Sequence, residues 1–185
     1  MSSPMTLREG LSAHLETGGL PEDGGYDERW VKLRIGPIPF AFPNTQNRRR
    51  LVPLHDLHHV VTGYATDLVG EAELAAWEIG SGMRDRTGLR LARRVLGFLL
   101  PRRPRKLFRA FVHGRNSRNL LDAEFGDPLL DRTIEDVRRE LALDRKPPPA
   151  TAADRRAFSE AGAVAVAIVW GPLAPMAALA WLLLR

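Results

Sequence analysis

Residues 53–80 read PLHDLHHVVTGYATDLVGEAELAAWEIG, and the spacing within this stretch decides the fold. Apolar residues recur at helical intervals on either side of Gly63-Tyr64-Ala65-Thr66, which predicts two helices, 53–64 and 67–80, joined by a tight corner. Pro53 suits a first helical turn, Asp67 or Thr66 suits the N-cap of the second helix, and Gly80 or Gly82 suits its end. Three of the five histidines fall in His55-Asp56-Leu57-His58-His59. On a helix His55 and His59 are i and i+4 and share one face, with Asp56 bordering it. Glu71 follows His59 after eleven residues, about one turn beyond the corner, so an antiparallel pair turns it toward the histidines. Two imidazoles and carboxylates brought together this way have the donor types of an N/O-ligated divalent metal. His58 projects differently and is expected to be structural. Glu78, seven residues after Glu71, could point the same way but reads more simply as a solvated helix carboxylate.

Outward from this pair, the rest of the chain reads as mainly helical. Residues 1–29 are polar and Gly-rich and read as a flexible lead-in, with a short helix near Leu7–Leu15. Pro37, Pro39 and Pro43 exclude a helix over 30–44, which is expected to be extended or looping. Residues 88–100 form an amphipathic helix stopped by Pro101 and Pro104. Residues 105–121 can start another. Leu130, Ile134, Val137 and Leu141 give helical spacing over 129–143. A proline-rich linker, 146–160, precedes an apolar tail, 161–184. The predicted fold is all-α: a compact helical domain over 30–145 whose antiparallel helix pair carries the metal motif, plus a C-terminal transmembrane or membrane-associated helix.

Composition narrows the function. The 185 residues contain no cysteine, which excludes a disulfide framework, a thiolate nucleophile, Cys-ligated zinc and an iron–sulfur cluster. Any metal is therefore held by His and carboxylate. The start, MSSPMTLREG, has no apolar run and does not read as a cleaved secretory signal. The net charge of +5 conceals a segment, 84–118, with 12 Lys/Arg against Asp85. It is open to three readings: a solvated Arg-rich face, a nucleic-acid patch, or a membrane-surface helix with Leu, Val and Phe opposite Arg. No recognition motif supports nucleic acid, and none is expected as a partner. Arg115 and Arg118 are candidates to meet a carboxylate or phosphate. The tail has 20 apolar residues out of 24 and no charge. It is expected to be a kinked membrane span, with an interfacial hairpin and burial against the protein's own body as alternatives.

The stretch HDLHHVVTGYATDLVGE resembles the signature of the coenzyme Q biosynthesis protein 4 family: His-Asp, two residues, His, eleven residues, Glu. The signature falls on His55, Asp56, His59 and Glu71 without a gap. Thr66-Asp67, Gly70, Gly114-Arg115 and Arg138/Arg139 are similar in context, and the resemblance covers roughly 30–145. It implies a mostly helical, often dimeric protein of ubiquinone or related prenylquinone biosynthesis at a membrane; Arg155/Arg156 ahead of the apolar tail place the body on the cytoplasmic face, in a bacterium that of the inner membrane. It also implies a divalent metal, usually zinc, on those four residues. The associated activity is oxidative decarboxylation of a prenylated hydroxybenzoate-type ring, with the metal ligands as catalytic residues. Zinc has no redox chemistry, so that activity needs iron, cobalt, manganese or an external oxidant. His58 or Tyr64 could handle protons. The implied partners are a prenylated quinone precursor or prenyl lipid and other quinone biosynthesis proteins. The alternative is a non-catalytic prenyl-lipid-binding scaffold with a structural metal. A metal hydrolase is a weaker reading, because a zincin-type helix places Glu, not Asp, after the first His.

Overall fold

Thr45 starts the helix that carries the histidines. Its hydroxyl accepts the Arg48 N–H at 3.3 Å, and the helix, α2, runs Gln46–Thr62. It therefore begins a full two turns before the predicted start at Pro53. The polar run 46–50 carries no apolar periodicity, but a side-chain cap can start a helix without it. Pro53 lies inside α2, where it removes one backbone donor. Gly63 ends the helix in a left-handed conformation (φ 76°), and its N–H reaches His59 O at 2.8 Å. The Arg138 guanidinium also donates to the Val61 carbonyl, one of the final-turn acceptors that the helix itself leaves open.

The computed structural model describes residues 4–35 and 38–172. They fall into two compact units, Met1–Gly63 with Leu120–Glu140, and Tyr64–Asn119 with Leu141–Arg185. In the first, α1 (Leu7–Thr17) packs on α2 and on the short α6 (Asp127–Leu130), and α2 packs on α7 (Ile134–Glu140). Leu7, Leu54, Leu57, Val61 and Val137 are fully buried at its core. The predicted helix over 129–143 is divided because Thr133 acts as a fresh start signal, accepting the Asp136 N–H at 3.1 Å.

The expectation of an all-α chain is corrected by a hairpin. β1 (Trp30–Ile35) and β2 (Ile38–Pro43) pair antiparallel with Trp30 opposite Pro43 and Ile35 opposite Ile38. Prolines that forbid a helix are tolerated in a two-stranded ribbon, where each strand has a free edge.

In the second unit α3 (Leu68–Gly80) packs on α4 (Arg86–Leu99) and α5 (Pro104–Arg115), and α8 (Ala152–Trp170) packs on α4 and α5. Leu74, Trp77, Leu96 and Leu107 are fully buried here. The α4–α8 contact is close: a Cβ at Gly97 would lie 2.2 Å from the Ala165 carbonyl oxygen. Trp170 Nε1 donates to Gly97 O at 3.0 Å, and its ring stacks on Phe98 at 6.3 Å.

The length and composition of α8 correct the predicted transmembrane helix. Among the described residues, no helix is long and apolar enough to cross a membrane. The first half of α8 carries Asp154, Arg155, Arg156 and Glu160. Its apolar remainder, residues 161–170, rises only about 15 Å, against about 30 Å of hydrocarbon. That part of the predicted span lies instead against α4. The rest of it, 173–184, lies outside the described residues.

The start of α8 is fixed by charge. Thr151 and Asp154 form a reciprocal capping box, and Arg115 Nε donates to Asp154 Oδ1 at 2.6 Å. Arg115 is thus engaged in an internal ion pair. Hydrogen bonds from the Thr151 backbone and hydroxyl, then from Arg115, hold the Asp154 carboxyl down to about 2 from its ordinary 3.8. A depressed carboxyl pKa stabilises the fold above the unfolded value, and that stabilisation is lost as pH falls through the folded value. Chemical denaturation of wild type and Asp154→Asn should therefore show a stability gap that is full above about pH 4 and shrinks toward pH 2. A gap independent of pH would contradict the assignment.

Candidate metal centre

Five consecutive residues of α2, His55 to His59, include four polar side chains, and the helix sends them in different directions. His55 and His59 share a face as their spacing predicts. Their ring centroids are 5.1 Å apart with the planes at 88°. His59 is buried at 4% exposure, while His55 is half-buried.

His58 points into the core and is fully buried. Its Nε2 accepts the Leu120 N–H at 2.9 Å, which puts the ring proton on Nδ1. Its structural role agrees with the sequence reading. It follows that His58→Ala leaves a buried backbone donor unpaired and should cost about 1–3 kcal/mol in urea denaturation, from that lost bond alone. A stability equal to wild type would contradict this.

Asp56 is buried as well, and Tyr26 donates its hydroxyl to Asp56 Oδ2 at 2.7 Å. Burial, followed by the Asp56 charge and this bond, raises the Tyr26 hydroxyl well above its ordinary pKa, so it remains a donor. Tyr26 belongs to the Gly-rich segment 19–29. That segment is tied down by Asn44, whose Nδ2 donates to Tyr26 O at 2.9 Å and Glu28 O at 3.0 Å. The Tyr26 ring meets Phe125 edge-on at 5.8 Å. Nothing in the sequence spacing marks Tyr26 as a partner of Asp56, thirty positions away.

Glu71 lies in the first turn of α3, whose N-cap is Asp67, one of the two residues the sequence offers. The Asp67 carboxylate accepts the Gly70 N–H at 2.7 Å. This bond fixes the helix start that sets the direction of Glu71, and a carboxylate in a first turn is favoured by the helix dipole. His55, His59 and Glu71 form a group that could hold a metal ion: each offers one ligand atom, and these atoms lie within 4.8 Å of one another. Asp56, the fourth residue of the motif, is not in that group.

Two other sequence candidates have defined places in the second unit. Tyr64 lies 3.2 Å, hydroxyl to Nδ1, from His113, and burial raises its pKa, with the Glu73 charge adding to the effect. Glu78 is 2% exposed, which corrects its reading as a solvated carboxylate. It shares the buried face of α3 with Leu74 and Trp77.

No protein-family model matches the chain, and no solved structure matches it. Over 98 residues the chain is 33% identical to the ubiquinone biosynthesis protein coq4, mitochondrial, of Talaromyces marneffei. The match covers 50% of this chain and 33% of the relative, so the chain spans about a third of the length of the curated relative it matches. The comparison supports the resemblance to the coenzyme Q biosynthesis protein 4 family that the His55, Asp56, His59 and Glu71 spacing carries.

Proposed function

We propose that this protein acts in ubiquinone biosynthesis and that His55, His59 and Glu71 hold a divalent metal for that role. The observation that carries this reading is the convergence of the three side chains, in a chain similar to a ubiquinone biosynthesis protein. The donor set fits. Two imidazole nitrogens and one carboxylate oxygen suit zinc and also accept iron, cobalt or manganese. Three protein ligands are the number that catalytic sites use when a coordination position is left for a substrate or water. When bound, the metal would supply Lewis acidity toward a phenolate or carboxylate oxygen of a prenylated ring during loss of carbon dioxide.

The chain's own residues take the remaining roles. Asp56, outside that group, serves as a neighbouring carboxylate, with one of its oxygens fixed by the Tyr26 hydroxyl. Of the two groups considered for proton handling, His58 is committed to the Leu120 N–H. Tyr64 is the better candidate, since its hydrogen bond to His113 gives it a partner able to hold a proton. Partners of this kind of protein would be a prenylated quinone precursor and other proteins of the same biosynthesis. The exposed face of α4 supports association with an anionic membrane surface. Leu91 and Phe98 are 62% and 42% exposed there, beside exposed Arg90, Arg94 and Arg102. An interfacial helix presents this mixture.

The test is the quinone-precursor profile of a host deleted for the gene. Loss of ubiquinone and accumulation of a prenylated ring that keeps its carboxyl group are expected. His55→Ala, expressed and partitioning like wild type, should fail to restore ubiquinone. Unchanged ubiquinone in the deletion would contradict the reading, and full rescue by His55→Ala would leave only the scaffold role.

A further inference from the structure

A third imidazole meets the histidine pair from a helix that the motif does not include. His14 on α1 stacks on the His59 ring, centroid to centroid 5.2 Å with the planes 24° apart. His59 is therefore held on one face by His14, while His55 meets it edge-on. The χ2 torsion of histidine is broad and two-fold, so a metal-binding imidazole needs its ring plane fixed by its surroundings. A flat ring stacked on it is one way to do so.

α1 is placed firmly enough to act as that support. A Cβ at Gly10 would lie 2.7 Å from Val60 Cγ1 and 2.9 Å from Ile134 Cδ1, so this turn of α1 lies directly on α2 and α7. His14 follows one turn later on the same face, between buried Leu11 and Leu15. The other end of α1 is tied down by the Thr6–Glu9 capping box, by Leu7 N–H to Arg132 O at 2.9 Å, and by Ile134 N–H to Met5 O at 3.0 Å. Arg8 adds ion pairs to Asp127 and Asp131 at 2.8 and 2.7 Å.

We infer that His14 is a positioning residue of the metal centre, fixing the ring plane of His59 so that its ligand nitrogen stays aimed at the ion. The inference rests on the metal reading above. It requires the flat face of His14, not its nitrogens: His14 does not belong to the group of three whose ligand atoms converge.

Cobalt(II) added to the metal-free full-length chain is the probe, because its absorption bands report coordination geometry where zinc is silent. Wild type, His14→Ala and His14→Phe are titrated, with circular dichroism as the check on folding. His14→Ala should lose about 10–100-fold in cobalt affinity, the usual effect of removing a group that orients a ligand, and its bands should change. His14→Phe, which keeps a stacking ring without nitrogens, should recover most of the affinity and the wild-type spectrum. Wild-type affinity and spectrum in His14→Ala would overturn the inference while leaving the metal centre intact. A folded His14→Phe with affinity and spectrum far from wild type would also overturn it, and this comparison stands alone if His14→Ala does not fold. A wild type that binds no cobalt would instead overturn the metal reading itself.

Discussion

One turn and a half of α2 has to bury polar side chains that point in different directions. Removing an imidazole or a carboxylate from water without a partner costs several kcal/mol, so each needs its own. The partners come from separate elements. Leu120 N–H meets His58 and the Tyr26 hydroxyl meets Asp56, while the rings of His14 and His55 pack against His59. The short helices and tied loops of the first unit converge on this one turn. The Thr45 cap, the left-handed Gly63 and the Arg138–Val61 bond hold α2 at both ends.

That arrangement separates support from chemistry. His58 is committed to the backbone, and it is the histidine that the i, i+4 face leaves out. His55 and His59 share the other face, and Glu71 is directed by the Asp67 cap of its own helix. A centre built only from nitrogen and oxygen donors is what a chain without cysteine can offer.

The parts of this account that depend on local rules were legible in the sequence. The i, i+4 pairing of His55 and His59, the Asp67 cap and the glycine corner follow from residue type and helical period. The roles of His14 and Tyr26 were not legible. Each lies in a polar or Gly-rich segment and meets α2 across 30 to 45 positions of chain, where spacing carries no signal. The start of α2 is not legible because its first turns are polar and carry no apolar period, nor is the hairpin, because prolines mask strand character. The tail reads differently from its structure for the opposite reason. Its apolar content is real, but over 161–170 one face, with Gly162 and Ala165, packs on α4, and apolar content alone does not distinguish a helix partner from lipid.

The central claim is that the histidine pair and Glu71 form one metal centre. The most direct measurement is the metal content of purified wild type, His59→Ala and Glu71→Ala by elemental analysis, after identical metal removal and reconstitution. The account predicts close to one divalent ion per chain in the wild type and a large loss in both variants. Equal metal content in all three proteins, or none in any, would contradict it.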